Sequence, residues 1–217
     1  MNPMQSLFQL CILLLLITDL IMLWSGRVLM LIRLSAIQGS LIALLLLLPV
    51  NGELTLGLVL LAAAVLIIKG IGFPVFLRHV CSGLGITPMV RNRLGRMLPM
   101  LSGIACLAFS LWLEGRVPAA QGLFPPMLLP VALTTLFCGL ILVVGCTKAL
   151  AQVVGYLVAE NGIFILGIPL MTEGSVWFEL SILLDVFAAV FVMAIAINHI
   201  NSAFDSIDVE RFRDLRD

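Results

Sequence analysis

An all-α integral membrane protein with seven transmembrane helices is the fold class this sequence predicts, and three observations predict it. Of 217 residues, 62% are hydrophobic and only 11% are charged, outside the range of a soluble domain, and the mean hydropathy is strongly positive. The apolar residues gather in runs that match the roughly 20 residues a helix needs to cross a hydrocarbon core about 30 Å thick. Apart from Lys69, the Lys and Arg residues fall between those runs or near their ends, nearly all on one side once the runs alternate in direction. The expected surroundings are a lipid bilayer. The connections are too short for a soluble catalytic domain, and nucleic acid is not an expected partner.

The runs, taken in order, extend approximately over Met4 to Trp24, Val28 to Val50, Leu54 to Leu77, Met97 to Leu113, Met127 to Cys146, Ala149 to Met171 and Val176 to His199. No Lys or Arg precedes Arg27, whereas a secretory signal peptide carries a basic region ahead of its apolar stretch, so the first span is expected to be retained. In the third span Pro74 lacks an amide proton and crowds the preceding turn, which predicts a kink. The longest connection, Arg78 to Arg96, has room for one short surface helix at most. The cysteines Cys11, Cys81, Cys106, Cys138 and Cys146 form no C-x-x-C pair, and four lie in or beside apolar spans, where Cys acts as a small hydrophobe.

Basic residues collect at cytoplasmic ends, and one alternating assignment gathers them. With the N-terminus outside and the C-terminus cytoplasmic, Arg27, Arg33, the cluster Arg78, Arg91, Arg93 and Arg96, Lys148, and Arg211, Arg213 and Arg216 all fall inside; Arg116 alone falls outside. Spans one to three and five to seven also read as two copies of a three-helix unit. A basic residue leads each middle span and a polar residue interrupts it: Arg27 then Gln38, Lys148 then Glu160. The third span of each copy carries a charge, Lys69 or Asp185. A single extra span between two such units makes the repeats parallel. The expected organisation is residues 1–80 as the first repeat, 81–125 as a basic cytoplasmic loop plus linking helix, and 126–217 as the second repeat with a cytoplasmic tail.

An ionised side chain at a helix centre costs about 2.5 to 3.5 kcal/mol on the insertion scale, so each needs its own account. Glu160 lies roughly 17 Å from either boundary of its span by helical rise, too deep to snorkel. Gly155, Ala159 and Gly162 beside it permit a neighbouring helix to approach closely. Held away from bulk water without a close cation, such a carboxyl exchanges a proton near neutral pH; the plainer reading is a protonated group that locks packing through a hydrogen bond. Asp185, flanked by Ser181, Ala188 and Ala189 at helical spacing, carries the same two readings. Glu179 is nearer the outer end and reads as solvated or interfacial. Lys69 lies roughly 12 Å from the cytoplasmic boundary by helical rise. It is either a buried amine that relays protons or biases a carboxylate, or half of a structural ion pair with Glu160 as a candidate partner. Gln38 cannot titrate and reads as packing glue or part of a hydrogen-bonded chain. Asp19, within two turns of the cytoplasmic end, reads as a structural group, with Arg27 or Arg33 as candidate partners. His79 and His199 sit at cytoplasmic ends, as solvated imidazoles or proton entry points.

There is no Walker loop, no G-x-G-x-x-G, no H-E-x-x-H and no Cys/His set with metal-ligand spacing, so no cofactor or metal is expected in this chain.

The stretch AQVVGYLVAENGIFILG (Ala151 to Gly167), with LLDVF (Leu183 to Phe187) and NHINSAFDSIDVERFRDL (Asn198 to Leu215), resembles the hydrogenase-4 component E family. These are membrane subunits of formate hydrogenlyase and other group 4, energy-converting hydrogenase complexes of bacterial and archaeal cytoplasmic membranes. RLSAIQGSLIALLL and IIKGIGFPVFLRH in the first half resemble it as well. The second half is also similar to the complex I K subunit and the C subunit of multisubunit antiporters. In those families a glutamate in the second helix and another in the third belong to a hydrated polar axis. By position Glu160 matches the first, and Asp185 matches the second with aspartate in place of glutamate. Gln38 and Lys69 occupy the corresponding places in the first half, which therefore departs from that pattern. The resemblance implies a non-catalytic subunit between antiporter-like membrane subunits and a cytoplasmic hydrogenase arm. Iron–sulfur clusters and a nickel–iron site would then lie in partner chains. Glu160, Asp185 and Lys69 would carry proton transfer or coupling, with Gln38, His79 and His199 as accessory groups. A component of a multisubunit cation/proton antiporter, a stand-alone secondary transporter and a purely structural spacer are the competing readings, and the charged tail from Asn201 is a further candidate contact.

Overall fold

The computed structural model describes residues 3–48, 55–83, 95, 97–116 and 125–170. Among these residues every regular element is helical. In chain order they are α1 (Pro3–Trp24), α2 (Val28–Leu46), α3 (Leu56–Val65), a π-helical segment (Leu66–Gly72), α4 (Phe73–Gly83), α5 (Met97–Glu114), α6 (Leu128–Gly145) and α7 (Ala149–Gly167), followed by a 3-10 turn (Ile168–Leu170). The third, fourth and fifth of these elements run on as one helix, so the described residues contain six helices long and apolar enough to span a membrane. This is a multi-pass membrane protein in contact with the lipid bilayer. The expected seventh span, with Asp185, His199 and the charged tail, lies outside the described residues.

Local chemistry accounts for several boundaries. Thr55 caps α3, its hydroxyl oxygen accepting from the Leu58 N–H at 3.3 Å, a bond that satisfies one of the free amides of the first turn. At the start of α6, Met127 takes a left-handed backbone with φ of 71°, and its N–H donates to Glu114 Oε1 at 3.1 Å, tying the end of α5 to the start of α6. The third helix differs from expectation. It continues past Leu77 to Gly83, so Arg78 and His79 are exposed residues of α4 and not part of a connection. The deformation expected at Pro74 takes the form of a π segment ahead of it. Phe73 N–H reaches back five residues to Ile68 O, and Pro74 has no N–H with which to extend that register.

The best-packed pair is α6 with α7, and glycine is the reason. A Cβ on Gly155 would lie 2.8 Å from Val143 N, and Cβ atoms on Gly139 and Gly162 would collide with the backbones at Ala159 and Leu136. Small residues at these positions let two apolar helices touch backbone to backbone, which is where helix association in lipid finds its van der Waals energy. By contrast α5 leaves Met97, Leu101, Phe109 and Trp112 exposed and packs mainly on α6 and α1.

Two apolar cores fill the bundle. One joins Met22 and Leu23 with Leu31, Leu77, Leu142 and Val154, and the other joins Phe8 and Leu15 with Ile42, Val65, Val131 and Phe164. Each of five spans contributes to both cores, and between its two contributions each carries buried polar residues: Thr18 and Asp19, Ser35 and Gln38, Lys69, Thr134 and Thr135, Glu160 and Asn161. The interior is therefore layered, apolar at both ends and polar at mid-height.

Candidate functional site: a polar layer at mid-height

The polar layer contains two clusters. In the first, Lys69 Nζ lies 2.7 Å from Glu160 Oε1, with side-chain exposures of 4% and 1%. The same ammonium stands 4.7 Å above the centre of the Phe164 ring. Glu160 and Phe164 are four residues apart and so share a face of α7, presenting a carboxylate and an aromatic face to one cation. Tyr156, a turn earlier, interacts electrostatically with both charges. Lys69 is the one buried residue of the π segment. Such segments add a residue to one helical turn, which shifts the face that follows, and they recur at functional sites.

Close packing fixes where Lys69 stands. A Cβ on Gly39 of α2 would lie 2.8 Å from the Lys69 carbonyl carbon and from its Cβ, and one on Gly70 would lie 3.1 Å from Ser40 Oγ. Glycine at 39 and 70 thus lets α2 lie directly on the π segment. Two opposite charges buried in contact cancel most of each other's field, which offsets the desolvation either would suffer alone.

The second cluster is built around Asp19, which is fully buried. Gln38 Nε2 donates to Asp19 Oδ1 at 2.8 Å and to Thr18 Oγ1 at 3.2 Å, joining α2 to α1. Thr135 Oγ1 lies 2.7 Å from Asp19 Oδ2 and 2.8 Å from Val131 O, joining α6 to α1. Gln38 Oε1 is buried and accepts no hydrogen bond among the described residues. Neither candidate partner, Arg27 or Arg33, reaches Asp19: both arginines are exposed, while Asp19 turns into the bundle and takes neutral donors. Helix rotation decides this: Asp19 lies on the face of α1 that packs against α2 and α6, whereas Arg27 and Arg33 occupy exposed positions at the start of α2 and on its outer face.

The structure therefore brings Lys69 and Glu160 into contact and puts Gln38 in the adjacent cluster. His79 is apart from both, exposed on α4. Asp185 and His199 lie outside the described residues. Sequence reasoning passed over Phe164 and Tyr156, although their spacing of four on either side of Glu160 was a usable signal. It also passed over Thr135, whose approach to Asp19 across 116 residues leaves no local trace. Comparison of the chain with protein-family models, with curated proteins and with solved structures found no match.

Proposed function

We propose that this chain is a non-catalytic membrane subunit of a redox-driven, complex I-related assembly of the group 4 hydrogenase and formate hydrogenlyase kind. Its Lys69–Glu160 pair would serve proton transfer or coupling. The observation that carries the reading is the buried ion pair between Lys69 of the π segment and Glu160 of α7, set within a polar layer that five spans share. Intramembrane ionisable residues that face the bundle interior and pair with one another mark ion and proton pathways in many membrane proteins. In this mechanism a movement transmitted from neighbouring subunits separates Lys69 from Glu160. The carboxylate, losing its cation, takes up a proton, and it releases that proton when the pair re-forms. The role expected of Asp185 in this axis comes from the sequence resemblance alone, since that residue lies outside the described residues. The two halves form parallel three-helix repeats, the N-terminus faces outward across a bacterial or archaeal cytoplasmic membrane, and the iron–sulfur and nickel–iron sites belong to partner chains.

The 2.7 Å contact between Lys69 and Glu160 also favours a second reading, in which the pair only pins α7 to the π segment and the chain is a spacer. The two readings separate on Glu160→Gln. Proton translocation measured in membrane vesicles should be lost in that variant while the assembly still purifies intact; full translocation would leave only the pinning role. Purification through a tag on this chain should also recover antiporter-like and iron–sulfur chains. A homogeneous monomer or homodimer would overturn membership of a complex and favour a stand-alone transporter.

A further inference from the structure

We infer that Asp19 is a second intramembrane proton-binding site, a neutral carboxylic acid that donates its own proton to Thr135 and exchanges it with water. The argument rests on counting donors and acceptors. A threonine hydroxyl has one hydrogen to give. Thr135 Oγ1 is at bonding distance from two acceptors, Asp19 Oδ2 at 2.7 Å and Val131 O at 2.8 Å, and cannot donate fully to both.

The other hydroxyls of the bundle show where such a hydrogen goes. Thr18, Ser40, Ser102, Ser110 and Thr134 each donate to a carbonyl of their own helix three or four residues back, at 2.7 to 2.9 Å. If Thr135 does the same with Val131 O, the short contact to Asp19 holds a hydrogen only when the carboxyl supplies it. The remaining geometry agrees. Gln38 Nε2 donates to Oδ1, the carbonyl oxygen of a protonated acid, and Thr18, its hydrogen committed to Leu15 O, accepts from the same amide.

Nothing cationic opposes this state among the described residues. Of the helices packed on α1, α2 and its N-cap bring Arg33 and Arg27, both exposed, and α6 brings the buried thiol of Cys138. From α5 come the thiol of Cys106 and the carboxylate of Glu114, the latter engaged by Met127 N–H at the far end of that helix. An ionised Asp19 would be a buried anion held by two neutral donors, whereas a neutral Asp19 satisfies both of its oxygens. The buried Gln38 Oε1 adds an acceptor at which a proton-carrying water can join the cluster. On release the O–H bond of Asp19 breaks, the proton passes to that water, and Thr135 turns its hydroxyl from Val131 O to the new carboxylate.

Infrared difference spectroscopy of the full chain in lipid tests this directly. At neutral pH the wild type should show the carbonyl stretch of a protonated carboxylic acid. That band should be lost in Asp19→Asn, be retained in Glu160→Gln, shift in Thr135→Val, and fade reversibly as the pH is raised. An Asp19→Asn spectrum that keeps the whole band, or a band that does not respond to pH, would overturn the site. Should Asp19→Asn fail to fold, carboxyl-13C aspartate in a chain whose Asp185, Asp205, Asp208, Asp214 and Asp217 are all changed to Asn leaves Asp19 as the labelled aspartate: the band must move with the label, and one that stays put refutes the inference. The readout needs no partner chain, so it stands or falls apart from the coupling role of Glu160.

Discussion

The Lys69–Glu160 pair and the Asp19 cluster sit in the same layer, hang on consecutive residues of α2, and bury a carboxyl to the same degree, yet they hold it by different chemistry. Glu160 meets a cation at 2.7 Å, and Asp19 meets an amide and a hydroxyl at 2.8 and 2.7 Å. The difference comes from what the neighbouring helix can deliver. The π segment and two glycines bring a lysine stem to mid-height of the bundle on one side of α2; on the other side, α6 offers Thr135 and no cation. A buried carboxyl that finds a cation can stay charged, and one that finds only neutral donors is stabler as the acid. Two neighbouring acids with the same burial can thus hold different protonation states.

That contrast can be broken most forcefully at the charged cluster. Lys69→Met strands Glu160 without its counter-ion and should destabilise the protein by about 3 to 5 kcal/mol, measured by unfolding in detergent micelles. Lys69→Met combined with Glu160→Leu should recover most of that loss. A single-variant cost below about 1 kcal/mol would mean that the pair is not the buried unit described here. Asp19→Asn should cost less, about 1 kcal/mol, because the new amide can still donate to Thr135 and accept from Gln38. If the change costs as much as Lys69→Met, Asp19 is ionised and the two clusters are alike. Thr18→Val should be smallest, at about 0.5 kcal/mol, since Gln38 keeps its shorter bond to Asp19.

The sequence alone settled what depends on composition and on position along the chain. Runs of apolar residues must become helices in lipid, where no water satisfies a lone backbone amide, so six described spans were legible, five within about four residues at their described ends and the third running on six residues past its expected end. The mid-helix placement of Lys69 and Glu160 was legible too, since it follows from residue number along each run, and the glycines beside Glu160 pointed to the close packing observed. What only the tertiary structure decided was rotation about the helix axes and the choice of neighbours. That Asp19 faces Thr135 and not Arg27, that Lys69 reaches Glu160 through a π turn, and that five polar interruptions fall at one height are facts of packing between segments far apart in the chain. The physical reason is that lipid rewards any apolar face about equally, so hydropathy cannot orient a helix; backbone contacts at glycine and the need to satisfy each buried polar group do.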